Sequence, residues 1–205
     1  MLSKNHFDLV VAIGGFVFLM PLLILVALLV LWNDGRPVIF RQTRVGQNGC
    51  EFTLYKFRTM AVCPLAENGS FGPGDTSRVT PTGYLLRKTK LDELPQVWNV
   101  LKGDMSLVGP RPEVRKWVEA YPERWAGVLA VRPGITDPAS LIYRNEEELL
   151  AHSADPEAYY REHILPHKLD LYESYTRTRT FGGDLNLMLR TILSLWFPRR
   201  TKRQQ

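Results

Sequence analysis

The chain has 205 residues, a formal charge of +5 and two cysteines, Cys50 and Cys63. This length allows one domain of ordinary size with a real core, or one such domain plus a membrane element. The cysteines lack the spacing of a metal site or redox pair and exclude a disulfide framework, in keeping with a reducing cytoplasm. The basic balance suits an anionic membrane surface, an anionic ligand or nucleic acid alike.

From Leu9 to Trp32 there is no charged residue, and a continuous helix over that stretch reaches about 36 Å, enough to cross a bilayer core. It is longer than the apolar core of a cleaved signal and lacks a small-residue cleavage site before the next charges. Arg36, Arg41 and Arg44 follow it, against Lys4 and the α-amino group before it; this asymmetry puts the body of the chain in the cytoplasm. We divide the chain into a membrane element at 1–36 and a body at 37–205. Pro21 lies mid-run, removes a helix hydrogen bond and clashes with the preceding turn, giving two halves of about 18 Å, each about one leaflet long. Two readings follow: a kinked single-pass span, or a re-entrant helix that enters and leaves by one face.

Asn33 to Pro37 is a turn out of that segment. Val38 to Arg58 then forms two β-rich runs around Gln47-Asn48-Gly49, a strong hairpin signal. Arg41, Arg44, Lys56 and Arg58 supply cations that suit either lipid headgroups or a nearby site. Cys63 to Gly83, rich in Pro, Gly, Ser and Thr, is a long loop of the functional or disordered kind. From Thr82 a short helical stretch carries Arg87 toward Asp92.

Polar chemistry concentrates between Leu91 and Pro112. Pro95 suits the opening of a helix that Gly103 stops; alternatively the helix starts at Thr89, with Asp92 at capping-box spacing. Either way Asp92 and Glu93 lie by unpaired N–H groups, where the helix dipole favours the ionised form. Simple capping explains acidic residues there. Neighbouring side chains on a helix point about 100° apart, so any chemistry gives the two carboxylates separate tasks. Leu91, Leu94, Val97, Trp98 and Leu101 form an apolar stripe that we assign to the core. Arg111, held between two prolines, carries a guanidinium suited to gripping phosphate oxygens, or to an ordinary salt bridge.

Val114, Trp117, Val118 and Tyr121 mark one helix, and Trp125, Val128 and Leu129 a short second one. Asn145 and Asp155 have the look of N-caps, and His152, His163 and His167 show no metal pattern. Asp184 to Phe197 is too short to span and amphipathic, with Leu185, Met188, Leu189, Ile192, Leu195 and Trp196 on one stripe. It suits core packing or the bilayer interface, and the basic tail Arg199 to Arg203 favours the interface.

At these residues the sequence resembles the bacterial sugar transferases, also called monotopic phosphoglycosyl transferases. The similar stretches are Phe7-Asp8, FRQTRVG (Phe40 to Gly46), YKFRTM (Tyr55 to Met60), LRKTKLDELPQ (Leu86 to Gln96) and RPGIT (Arg132 to Thr136). The resemblance implies transfer of a sugar phosphate from a UDP-sugar to polyprenyl (undecaprenyl) phosphate, with Mg2+ and a covalent enzyme intermediate. By the same resemblance Asp92 is the nucleophile, Glu93 the magnesium ligand, and Arg87 and Arg111 bind substrate phosphate with Lys56 and Arg58 close by. It further implies an α+β, mainly helical fold with a small β-hairpin, a re-entrant membrane helix broken at Pro21, and interfacial amphipathic helices on the cytoplasmic face of the inner membrane. Two departures stand out: Met20 replaces a small polar residue before the proline, and Asp137-Pro138-Ala139-Ser140 replaces a glycine and aromatic-containing run associated with substrate recognition, which leaves the sugar open. A single-pass scaffold without catalysis is the alternative. A nucleic-acid binder leaves the uncharged run unexplained and shows no motif; membrane lipids are expected partners and homo-oligomers are left open.

Overall fold

The computed structural model describes residues 4–62 and 76–196. Most of the loop expected from Cys63, and the basic tail from Arg199, lie outside them. The described chain is mainly helical, with two small two-stranded sheets.

Helix α1 (Lys4–Asp34) runs for 31 residues with Pro21 inside it, so the helical run continues through the proline. It is long and apolar enough to cross a membrane. A single stripe of it is buried, at Asp8, Ala12, Val26 and Val30, while Val10, Val17, Phe18, Leu25 and Trp32 are exposed. That stripe lies on the rest of the chain from end to end. Near its start Ala12 packs with Leu54, Val100 and Met105. Near its finish Val26 and Val30 pack with Phe57 and Leu86. Each end is also fixed by polar contacts. Lys4 Nζ is 2.5 Å from Asp184 and donates to the Val108 carbonyl, and the Ser106 hydroxyl donates to buried Asp8 at 2.6 Å. At the other end Arg58 donates to the carbonyls of Asp34, Gly35 and Arg36, filling acceptors that a helix end leaves open. The division at residue 36 therefore separates sequence classes, while in space α1 shares two cores with the body.

Strands β1 (Ile39–Val45) and β2 (Glu51–Phe57) pair antiparallel, Ile39 opposite Phe57 and Val45 opposite Glu51. Asn48 and Gly49 turn the chain at φ 56° and 77°, which is the left-handed geometry that Asn-Gly accommodates. Helix α2 (Pro81–Thr89) is capped by the Thr80 hydroxyl and ends at Lys90, φ 60°. A 3-10 segment (Leu91–Gln96) follows and runs into α3 (Val97–Lys102), closed by Gly103 at φ 83°. Neither expected helix start holds: the helical run opens at Leu91, four residues before Pro95. The Thr89 hydroxyl bonds back to the Leu85 carbonyl, so it caps nothing ahead of it. Trp98 is half exposed, not core, and its ring lies 6.1 Å from Phe16 on α1. The residue beside it carries the packing. Asn99, wholly buried, donates to the Thr53 carbonyl and accepts from the Tyr55 amide, locking α3 to β2.

Strand β3 (Ser106–Val108) pairs parallel with β4 (Gly134–Thr136), a sheet the sequence reading did not anticipate. Between them lie α4 (Arg115–Ala120) and α5 (Pro122–Val128), as expected from their apolar spacing. After β4 come α6 (Pro138–Ile142), α7 (Glu146–Ala151), α8 (Pro156–Tyr159), a π-turn (Tyr160–Ile164) and α9 (Leu165–Thr178). Trp117, Trp125, Val128, Tyr160, Leu165, Leu169 and Tyr172 form the largest core here. Asp155 caps α8 through Ala158, whereas Asn145 sits at the cap position without a side-chain bond. The final helix α10 (Phe181–Trp196) packs on β3 and β4 and leaves Leu185, Leu189, Ile192 and Leu193 exposed.

The β3–β4 crossing depends on two glycines. A Cβ on Gly134 would come within 2.0 Å of the Gly109 amide nitrogen, whereas one on Gly127, inside α5, meets nothing within 4 Å. Gly134→Ala is expected to cost about 2–4 kcal/mol because backbone must shift, and Gly127→Ala to be neutral or stabilising by up to about 1 kcal/mol. Thermal unfolding of the two variants in detergent checks this; equal midpoints would contradict it.

Candidate active site

The site forms where three parts of the fold converge: β2, the 3-10 segment, and the loop after β3. Strand β2 supplies Lys56, whose Nζ is 2.9 Å from Glu93 Oε1. The loop supplies Arg111, which donates to both Glu93 oxygens, through Nη2 to Oε1 and through Nη1 to Oε2 at 3.4 Å. Burial alone would raise the Glu93 pKa, yet Arg111 and Lys56 together hold its carboxyl well below the usual range. The opposite charge of Glu93 in turn holds the Arg111 pKa well above its ordinary value. Burial lowers the Lys56 pKa, with Glu93 opposing.

Asp92, one residue earlier, has another environment. It is 7% exposed, and its Oδ1 has no hydrogen-bond partner among the described residues. Burial raises its pKa, Lys56 pulls it down and the neighbouring Glu93 pushes it up. The helix start was expected to favour ionisation of both carboxylates; desolvation outweighs it at Asp92. A buried oxygen without a partner is unusual in a folded protein, and Lys56, Lys90 and Arg111 all act electrostatically on this carboxylate. Gln96 Nε2, in the same segment, is likewise unpartnered.

The remaining expected site residues are placed apart from Glu93. Arg87 donates to the Thr59 hydroxyl at 2.9 Å and to Glu147 of α7 at 2.9 Å. Because Glu147 is exposed, a phosphate can compete for that guanidinium. Arg58 gives both of its Nη groups to the end of α1, while its Nε has no partner among the described residues.

Behind Arg111 lies a polar network that the sequence reading missed. Arg44 donates to the Pro112 carbonyl and pairs with Glu113 at 3.3 Å, and Tyr160 donates to Glu113 at 2.6 Å. Lys168 bonds Tyr160 and pairs with Glu146 at 2.5 Å. Asp137 caps α6 through the Ser140 amide, yet among the described residues its Oδ2 has no hydrogen-bond partner, nor does the Tyr172 hydroxyl; both act electrostatically on Arg111. The only early signal was position: Glu113 follows Arg111-Pro112, and Asp137 stands where the chain departs from similar sequences.

Glu93, the expected metal ligand, has Oε1 held by Lys56 and Arg111 and Oε2 approached by Arg111 at 3.4 Å. Among the described residues no three of His, Cys, Asp and Glu are grouped to hold a metal ion. Asp92 Oδ1, like Asp137 Oδ2, is a buried carboxylate oxygen without a hydrogen-bond partner among the described residues.

Comparison with known proteins shows the family. Residues 1–198 match the family model described as bacterial sugar transferase. The uncharacterized sugar transferase EpsL of Bacillus subtilis is 44% identical over 145 residues, which are 71% of each chain. The UDP-glucose:undecaprenyl-phosphate glucose-1-phosphate transferase of Caulobacter vibrioides is 35% identical over 95% of this chain and 70% of its own. Its namesake from Escherichia coli is 40% identical over 73% of this chain but 33% of its own length, so the present chain spans only about a third of that relative. With a family model covering nearly all of its length, the chain belongs to the bacterial sugar transferase family.

Proposed function

We propose that the protein transfers a sugar 1-phosphate from a UDP-sugar to polyprenyl phosphate, yielding polyprenyl diphosphate sugar and UMP. The observation that carries this reading is the buried Asp92 oxygen without a partner, set beside a Lys56–Glu93–Arg111 ion cluster. In the first step Asp92 attacks the β-phosphorus, a P–O bond to Asp92 forms, and the bond to the UMP oxygen breaks. In the second an oxygen of polyprenyl phosphate attacks the same phosphorus and Asp92 leaves as its carboxylate. Burial strips water from the nucleophile and strengthens every charge around it.

Glu93 holds Lys56 and Arg111 in place as phosphate-binding cations, pre-organised for charge that moves between oxygens. Arg87 joins them when a phosphate replaces Glu147. Magnesium, commonly bound by one or two carboxylates plus substrate phosphates, would be held by the Asp92–Glu93 pair with the diphosphate, whose charge it would neutralise.

The membrane arrangement belongs to the same proposal. Helix α1 enters and leaves the bilayer by its cytoplasmic face, with the body on that face of the inner membrane. Two facts support this: Lys4 and the Asp34 carbonyl contact one body, and the face of α1 away from it is apolar and uncovered. A lipid phosphate then reaches the site without leaving the bilayer.

Three outcomes test these steps. Asp92→Asn is expected to lower turnover by about a thousandfold or more. Mass spectrometry of wild-type enzyme with UDP-sugar and magnesium should show a sugar-phosphate adduct on the Asp92 peptide that disappears when polyprenyl phosphate is added. Near-normal turnover in Asp92→Asn would instead favour direct attack by the lipid phosphate.

The pH profile follows from the raised Asp92 pKa. The nucleophile must be ionised, so kcat/KM falls with acid, and its acidic limb should lie above the range of an ordinary aspartate. Lys56 lowers the Asp92 pKa, so in Lys56→Gln the limb is expected to move to still higher pH; an unmoved limb would argue against ionisation of Asp92 as the controlling step.

For topology, a cysteine at exposed Asn5, with Cys50 and Cys63 replaced, should resist an impermeant thiol reagent in intact cells and react after lysis. Labelling of intact cells would establish a single-pass span.

A further inference from the structure

Away from the Glu93 cluster, a cleft of about 180 Å3 opens between the end of α9 and the first turns of α10. Arg179 and Arg190 line it together with Thr178, Thr180 and Asn186. Both arginines are exposed and have no hydrogen bond or ion pair among the described residues. Asp184 also borders the cleft, but its charge is already committed to Lys4 at 2.5 Å and its Oδ1 accepts from the Tyr175 hydroxyl at 2.7 Å. The cleft is therefore net positive.

Its surroundings are apolar. Phe181, Leu185, Leu189 and Ile192 recur at helical spacing along α10 and are all exposed, which puts them on one face. The Phe181 ring meets Phe7 of α1 edge-on, centroids 4.9 Å apart, so this face continues into the uncovered face of the membrane helix. A ligand that suits both features is anionic at one end and apolar at the other.

We propose that the cleft binds the phosphate headgroup of an anionic glycerophospholipid, with its acyl chains along the exposed faces of α10 and α1. This rests on those faces meeting lipid, as proposed above, and not on the chemistry of Asp92. A guanidinium pair of this kind grips phosphate oxygens, and the buried apolar chains add affinity that a free phosphate lacks. A bilayer phospholipid is favoured over the polyprenyl phosphate acceptor because the acceptor's phosphate must reach Asp92, which is served by a separate set of cations, Lys56 and Arg111. The bound lipid clamps α10 beside the Lys4–Asp184 contact and so steadies the start of α1.

The test is thermal unfolding of the full chain in neutral detergent micelles doped with phosphatidylglycerol or with phosphatidylcholine. Phosphatidylglycerol is expected to raise the wild-type midpoint by about 5 °C near saturation, and phosphatidylcholine to leave it in place. In Arg179→Gln/Arg190→Gln the phosphatidylglycerol shift should vanish while the midpoint without lipid and UMP release are kept. Arg190→Lys, which retains charge, should keep most of the shift should the double variant fail to fold. Arg161→Gln/Arg177→Gln removes equal charge from outside the cleft lining and should shift as wild type does. Persistence of the shift in the cleft variant, or its equal loss in both double variants, would overturn the proposal; so would displacement of phosphatidylglycerol by polyprenyl phosphate, which would make the cleft an acceptor site. A protein that releases no UMP yet shows the arginine-dependent shift would sink the transferase reading and leave the lipid site standing.

Discussion

The Glu93 carboxylate is the contact on which the rest of this structure depends. It joins Lys56 on a strand to Arg111 on a loop 55 positions further along the chain, and it does so from a segment between them. Desolvating three charges is expensive, and such a cluster persists only where geometry and further bonds compensate. The fold supplies both. Asn99 bonds the strand backbone on either side of Leu54 and thereby sets the height of Lys56 against Glu93. Arg44 holds the Pro112 carbonyl and Glu113, so the loop that carries Arg111 is fixed from behind. Removing one partner from a buried cluster strands the others, which is why such groups act as a unit.

The membrane helix is built into this arrangement. Residues near both of its ends pack in cores that also contain β2 residues, Leu54 at one end and Phe57 at the other. Arg58, the next residue after β2, holds the carbonyls at the end of α1, while Lys56 on the same strand reaches Glu93. Displacement of the helix therefore acts on the strand that presents a site cation. In water the uncovered face of α1 would leave a large apolar area exposed, and in lipid that area costs nothing. A bilayer around that face would complete the fold.

Much of the architecture was legible in local pattern. The hairpin followed from Asn48-Gly49, the Gly103 stop from its position, and α4 and α5 from the spacing of Trp117, Val118, Trp125 and Val128. What was not legible depends on residues distant in sequence. The β3–β4 pair has three residues in each strand and no period to detect, and it exists because Gly109 and Gly134 permit backbone to cross backbone. Trp98 was assigned to the core because size and spacing favour it, but spacing does not say which neighbour lies opposite, and α1 does. For the site, the sequence identified Asp92, Glu93, Lys56 and Arg111 as candidates. It did not separate Arg58, which anchors a helix, from Lys56 two residues away, since only side-chain direction distinguishes them.

The adjacency of Asp92 and Glu93 has a geometric reason. On a 3-10 segment successive side chains diverge by about 120°, wider than the 100° of an α-helix. Two neighbouring carboxylates thus face different surroundings although their backbones are one peptide apart. Glu93 turns to the cations and is held ionised by them; Asp92 turns to a buried position where its Oδ1 has no hydrogen-bond partner among the described residues. Reversing the order would place the longer side chain in the tighter site and leave the shorter one to reach two cations on different elements. The positive φ at Lys90 ends α2 just ahead of the pair, and Pro95, lacking an N–H, is at no disadvantage within the short run that follows. The tight helix is therefore what gives two neighbouring carboxylates such different surroundings.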